Sequence, residues 1–533
     1  MRTIIKQSSK NKYGQYFTPK VVADFMIDMA DISHHTKILE PSCGEGVFLE
    51  RLQRRGFENV TAFEIDESLA QDFDCVRYES FVSAKIVERF GLIIGNPPYI
   101  RWKNLEEDLK IELANNAIWN KYFNSLCDYL YIFILKSIEL LEENGQLIFI
   151  CPEYWMNTTH SVSLRNYMVQ NGYFEAIYHF NETPIFDKVT VSTVIFKFIK
   201  STEPVTTKIK VAKFYANQKL SFETLNRLKN QIEFKEAAYL NVSQFNINER
   251  WLLQSDEIRA ELNILEANCL KKKQPSLLYF FQEEKQVFHT IGDFCDIGNG
   301  LVSGLDKAFQ VNRCLLNEAE KNATIDVIKA KDLNPFFAVA ITKYIFIKDG
   351  LDEGHFSAVY PNFYQHFQKY KADLSNRYQY NRKINYWEWV FLRNFNLFSK
   401  VEKRIFVPCK ERISNKNYFR FALVDENIFP TQDVTAIFKK PNTQESIEYI
   451  VAYLNNPIIF DWLKYNGIVK GNIVEFSEKP IACIPFRAID WTNAKEVFLH
   501  NIITELTQAY LKNKEKGILS QIYQVFKQLF DTA

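Results

Sequence analysis

Three short stretches in the first hundred residues combine groups able to hold a ligand. Residues 91–100 read GLIIGNPPYI. The apolar run Leu92-Ile93-Ile94 stops at Gly95, and Asn96-Pro97-Pro98-Tyr99 follows. Neither proline has an N–H to donate, so a sheet cannot continue through them. One amide, two rigid residues and one aromatic ring therefore stand at the tip of a strand. Residues 40–46, Glu-Pro-Ser-Cys-Gly-Glu-Gly, close the stretch TKILE (36–40), and their small side chains let a ligand approach the backbone. Glu64 stands near the end of NVTAFEID (59–66), where a carboxylate suits paired hydrogen bonds to ribose hydroxyls. The glycine pattern is not G-x-G-x-x-G, so a dinucleotide pyrophosphate is not the obvious guest. No G-x-x-x-x-G-K-[ST] loop of an ATPase is present either.

Each stretch needs a strand to aim it. Apolar runs alternate with helical spacing through the first ~200 residues. Strands are expected at 36–40, 59–66, 90–95, 145–152, 174–180, 189–198 and 208–215, with a helix at 47–56 closed by Gly56 and another within 122–142. Strands alternating with helices predict an α/β fold with a doubly wound, mostly parallel sheet, here of seven strands, and the tail 189–198 followed by 208–215 fits an antiparallel edge. In such a sheet ligands sit beyond the carboxyl ends of the strands, where all three stretches lie.

Composition bounds the rest. The 533 residues suffice for two to four domains, and 47% hydrophobic with 24% charged residues marks a globular chain with large cores. The net charge of +1 does not advertise nucleic acid. Residues 381–420, however, hold ten Lys/Arg against three acids, a local excess of seven. The nine cysteines are scattered, without C-x-x-C or zinc spacing, as expected for a reducing cytoplasm and for no bound metal. The start of the chain lacks the apolar core of a signal peptide. Lys136 and Glu139 interrupt the apolar run in YLYIFILKSIELL, so no membrane span is expected.

EPSCGEG, FEID and GNPPYI, in this order and spacing, resemble the S-adenosylmethionine-dependent amino-methyltransferases. Tyr13-Gly14-Gln15-Tyr16-Phe17-Thr18-Pro19 precedes the first strand, similar to the gamma-class DNA adenine-N6 methyltransferases of restriction-modification systems, whose Thr-Pro motif is N-terminal. The resemblance is close over residues 12–200 and looser beyond. It implies a Rossmann-like catalytic domain with S-adenosyl-L-methionine as cofactor. Tyr16, Phe17, Thr18 and Pro19 would line the methionine end, and Glu40, Pro41, Ser42, Cys43 and Gly44 would form the floor. Glu64 would hold the ribose and Ile65 would pack on the cofactor's adenine, with Asn96 and Pro98 also at the cofactor. One departure stands out. The family's usual Asp-Phe pair falls on Ser80-Phe81, so recognition of that adenine leans on Phe81, on an uncharged Ser80, and on Glu79 or the backbone.

The resemblance assigns catalysis to Asn96, Pro97, Pro98, Tyr99 and Phe186. An adenine amine is a weak nucleophile because its lone pair is delocalised into the ring. The Asn96 side-chain carbonyl and the Pro97 main-chain carbonyl would accept its two hydrogens and favour the sp³ form, by positioning and polar preorganisation rather than by a base. A base in a duplex must first be flipped out, and Tyr99 and Phe186 would replace its lost stacking.

Four segments are expected: a catalytic domain over 1–220, a helical spacer over 221–285, an α+β DNA target-recognition domain over 286–490, and a helical segment over 491–533. Lys307, Arg382, Lys383, Lys403, Arg404, Lys410 and Lys470 are candidate DNA contacts. The expected partner is double-stranded DNA, with a separate cognate restriction endonuclease acting on the same site; no membrane association and a monomer are expected. The same Asn-Pro-Pro-Tyr tetrapeptide also serves enzymes that methylate RNA or a translation-factor glutamine. The large C-terminal half favours DNA.

Overall fold

The computed structural model describes residues 16–531, apart from 182, 187–190, 204, 217, 272–287, 312–315, 348–349, 381–382, 414–415 and 471–472. The chain divides into two compact units, Met1–Asp256 and Glu257–Ala533.

The first unit begins with α1 (Lys20–Asp28) and alternates strand and helix as its apolar spacing requires: β1 (Ile38–Glu40), α2 (Val47–Arg54), β2 (Val60–Phe63), β3 (Val76–Arg77) and β4 (Phe90–Gly95). There follow α3 (Glu107–Ala114), α4 (Ala117–Tyr122), α5 (Leu130–Leu140), β5 (Leu141–Pro152), α6 (Val162–Gln170), β6 (Gly172–His179), β7 (Thr193–Lys200), β8 (Ile209–Phe214), α7 (Phe222–Lys229) and β9 (Ala237–Val242). The strands form one sheet in the order β3-β2-β1-β4-β5-β7-β6-β8-β9. The five strands from β3 to β5 run parallel, and β7 enters antiparallel to both β5 and β6. The central strands are continuous apolar runs because both faces are covered. Leu39 and Ile93 pack into a core with α5, Phe81 and Trp155, whereas their neighbours Ile38, Leu92 and Ile94 pack with α1 and α2.

Three expectations change. The sheet has nine strands, not seven. The tail 189–198 and 208–215 is antiparallel in part but not at the edge: β7 lies between β5 and β6, antiparallel to both, and β8 lies inside the sheet, parallel to β6 (Ala176 opposite Lys210) and antiparallel to β9. Residues 237–251 do not belong to a helical spacer, because β9 extends the sheet and Trp251 is buried in its core; 272–285 lie outside the described residues. The part-exposed, weakly alternating AAYLNV of β9 hid it from sequence patterning.

The second unit is α+β. A five-stranded sheet runs in the order Cys295–Asn299, Val434–Lys439, Arg404–Pro408, Ala422–Val424, Phe336–Phe337, beside two three-stranded sheets. The helices Ala494–Asn513 and Lys516–Phe530 close the chain. Their apolar faces, Leu499, Ile503, Ile522 and Phe526 among them, join the core that contains Tyr449 and Tyr453, so this segment belongs to the second unit. Among the described residues no helix is long and apolar enough to cross a membrane.

Candidate active site

Strand order reverses between β1 and β4, and at such a switch the loops after neighbouring strands diverge and leave a crevice. Here a cavity of about 610 Å³ opens at the carboxyl ends of β1, β2 and β4. Every residue expected to hold the cofactor lines it: 16–19 ahead of α1, 40–44 after β1, Glu64 and Ile65 after β2, Ser80 and Phe81 after β3, and Asn96 and Pro98 after β4. Pro97 lines it too, whereas Tyr99 and Phe186 stand outside the lining.

The turn after β1 depends on glycine. Gly44 and Gly46 have φ of +55° and +79°, and a Cβ on Gly46 would come within 2.6 Å of the Phe73 ring. This turn aims the Gly44 N–H at Glu64 Oε2, 2.8 Å away, while Ile65 and Asp66 donate to Oε1 at 3.0 and 2.9 Å. Glu64 is thus clamped between the turns after β1 and β2. Burial raises its carboxyl above the ordinary value, and the three N–H groups pull it back. Glu40 is 1% exposed and its Oε2 has no hydrogen-bond partner. Burial, then the charge of Glu64, push the Glu40 carboxyl well above its ordinary value.

At the far end of the cavity Phe81, Leu109, Tyr129 and Phe133 form an apolar wall. Ser80 Oγ accepts the Val82 N–H at 3.2 Å and so holds its own turn. Lys136, seen in the sequence only as an interruption of an apolar run, secures that turn from below. Its Nζ donates to the carbonyls of Phe81, Val82 and Ala84 at 2.6, 3.1 and 2.7 Å and lies over the Phe81 ring. Burial pulls its ammonium down to about 8. The available signal was a single lysine inside LYIFILKSIEL, a helix buried on nearly every side.

The Asn96 amide is oriented. Its Nδ2 donates to the Tyr16 carbonyl at 2.6 Å and to Thr18 Oγ1 at 3.2 Å. A carbonyl can only accept, so the nitrogen must face it. Oδ1 is left buried and without a partner. The Tyr99 hydroxyl is likewise buried without a partner, and burial drives its phenol well above the ordinary value. The Tyr16 ring stacks on Tyr99 at 4.8 Å, with the planes 5° apart, and its centroid is 5.8 Å from Phe186. Phe186 is 4% exposed and packs with the core around α1.

Among the candidate DNA contacts, Arg404 is corrected. It is fully buried, donates to the carbonyls of Phe398, Lys400 and Glu402, and lies over the Phe438 ring. It is a structural tie, because the strand Arg404–Pro408 is central in its sheet. The basic stretch is also more neutralised than its composition implies: Lys400 pairs with Asp296, Lys403 with Glu448, and Lys416 and Arg420 with Glu411. Lys307, Lys383 and Lys410 are exposed. Arg382 and the side chain of Lys470 lie outside the described residues.

Two family models match the first unit: the Eco57I restriction-modification methylase over residues 37–186 and the N-6 DNA Methylase over residues 2–71. The chain is 47% identical over 519 residues to the Type II methyltransferase M.HindII of Haemophilus influenzae, covering 97% of both chains. The chain belongs to the N6-adenine methyltransferases of Type II restriction-modification systems. M.HincII, also of Haemophilus influenzae, is 44% identical over 97% of both chains. Among solved structures, the Type IIL restriction-modification enzyme MmeI in complex with DNA aligns with a TM-score of 0.54 at 11% identity, covering 96% of this chain and 72% of that one, a likeness of fold. In this N6-adenine methyltransferase the strand-tip residues 96–99, the turn 40–46 and Glu64 are thus drawn to one end of one sheet.

Proposed function

We propose that this methyltransferase moves a methyl group from S-adenosyl-L-methionine to the N6 amine of an adenine flipped out of duplex DNA at a specific sequence. The observation that carries this reading is the Asn96 amide, held through its nitrogen so that a buried, unpartnered oxygen is offered for an amine hydrogen. Together with the Pro97 carbonyl it accepts both N6 hydrogens, which draws the lone pair out of conjugation. No charged base is required. Tyr99 and Phe186 take over the stacking that the base loses on leaving the helix.

The cavity fits the cofactor. An acid with an orphaned oxygen, Glu40, and a second buried acid, Glu64, stand together in its lining, where a cationic ligand group would offset their charge. Glu40 would meet the cofactor's ammonium group, Glu64 its ribose hydroxyls, and Phe81 with Ile65 its adenine. When bound, S-adenosylmethionine supplies an electrophilic sulfonium methyl. The chain's own part is to bury and orient both reactants, with Thr18 and the Tyr16 carbonyl keeping Asn96 in register. The second unit would read the sequence of double-stranded DNA, and a separate cognate endonuclease would cut the same unmodified site.

Expression in a methylation-deficient host, followed by sequencing that detects N6-methyladenine in context, tests the reading. One recurrent motif carrying N6-methyladenine is expected, absent from cells with Asn96→Ala. Unmodified DNA, or a methyl group on RNA or protein instead, overturns it.

A further inference from the structure

We propose that Tyr16 is the third aromatic of the target-base slot, its ring keeping the place that the extruded adenine takes and then packing on the adenine beside Phe186. This rests on the base-flipping reading above. Tyr16 lies face to face on Tyr99, with centroids 4.8 Å apart, and its centroid is 5.8 Å from Phe186. Rings at that separation admit no third ring between them. A base that stacks on this face of Tyr99 must therefore take the position of the Tyr16 ring. The closed stack also leaves the Tyr99 hydroxyl and Asn96 Oδ1 buried without partners. Orphaned buried groups are costly, so the closed arrangement is not the best-satisfied one. The ring and the main chain of Tyr16 have separable duties. Its carbonyl anchors Asn96 Nδ2 at 2.6 Å, and a χ1 rotation moves the ring without breaking that bond. Residues 16–18 also line the cofactor cavity, so one short segment touches the cofactor, the amide and the slot.

The test uses the full chain, with 2-aminopurine as the target base opposite a mismatch, where the cost of unpairing is removed. Stopped-flow fluorescence then reads entry into the slot. Tyr16→Ala abolishes the ring but keeps the carbonyl. We expect its fluorescence to rise about 2- to 10-fold faster than wild type, the factor that one aromatic stack is worth. Its kcat falls because the base loses one of three packing rings, and Tyr16→Phe, which keeps the ring, restores the wild-type rate of entry. A rise no faster than wild type, with cofactor affinity unchanged by calorimetry, overturns the proposal. Should Tyr16→Ala lose cofactor affinity, the wild-type chain decides. Photocrosslinking to 5-iodouracil at the target position is expected to label Tyr16, and labelling that omits Tyr16 overturns the proposal. No fluorescence change in wild type would sink the base-flipping reading itself, whereas a change without acceleration in Tyr16→Ala sinks only the role of Tyr16.

Discussion

Asn96 and Glu40 carry opposite kinds of deficit, and each gives a measurable consequence. Asn96 lacks a donor for Oδ1. Asn96→Ala removes one of the two N6 acceptors and is expected to cut single-turnover methylation by about two orders of magnitude, ~2.7 kcal/mol of barrier, with DNA affinity unchanged in a gel-shift titration. Turnover at the wild-type rate would remove the acceptor role. Glu40 lacks a cation. Its carboxyl titrates well above 4.5 in the folded chain, so the folded state binds that proton more tightly than the unfolded state does. The stability this contributes is present in full below the ordinary carboxyl range and is lost as pH rises through the raised value. Glu64 and the Cys43 thiol, itself pushed up by burial, add no positive charge to offset this. Glu40→Gln should therefore melt higher than wild type without cofactor, by a margin that grows from pH 5 to pH 8. Cofactor binding reverses the preference, since an ammonium group favours the ionised acid. Calorimetry in buffers of different ionisation enthalpy should detect a proton released on binding in wild type and none in Glu40→Gln.

At the scale of elements, the turn between β3 and β4 shows how α5, whose Phe133 lines the pocket, also sets the pocket's shape through a second side chain. The Lys136 ammonium from α5 donates to three carbonyls of this turn, of which that of Val82 also accepts from Asn116 Nδ2 at 3.1 Å. Lys136→Met keeps most of the volume and removes the donor. Each orphaned group costs about 1–3 kcal/mol, so both melting temperature and cofactor affinity should drop, the latter by about tenfold. DNA affinity without cofactor should hold. Equal losses in cofactor and DNA binding would mean general unfolding rather than a misplaced Phe81.

For the whole molecule, the question is which charges meet DNA. Ion pairs and burial occupy Lys400, Lys403, Arg404, Lys416 and Arg420, while Lys383, Lys410 and Arg412 are exposed. Each phosphate neutralised steepens the log–log salt dependence of binding by about 0.9. Lys383→Ala and Lys410→Ala are each expected to flatten that plot by about one such step. Arg404→Met should leave the slope alone and instead destabilise the second unit, on the order of 3 kcal/mol, by stripping the donor from its carbonyls. A flatter slope for Arg404→Met, with unchanged melting, would return that residue to the interface.

Much of the first unit was legible because local pattern decides it. Leu92-Ile93-Ile94 must be a strand covered on both faces, the prolines must end it, and EPSCGEG, Glu64 and Asn96 must then fall at strand ends that a doubly wound sheet gathers together. The resemblance placed the cofactor residues on these same ends, and the structure brings all of them to one cavity. Other features depend on partners distant in sequence, and no local pattern encodes those. The part-exposed β9 becomes a strand only because β8 offers it an edge. Arg404 stands in a run of cations that reads as surface, yet the fold closes carbonyls from four residues around it. Lys136 looked like an interruption until the turn beneath β4 supplied its acceptors. The orientation of the Asn96 amide and the stack of Tyr16 on Tyr99 join residues about eighty positions apart. A side chain's hydrogen-bond partners and ring contacts are set by packing in three dimensions, so residue types were written in the sequence and their pairings were decided by the fold.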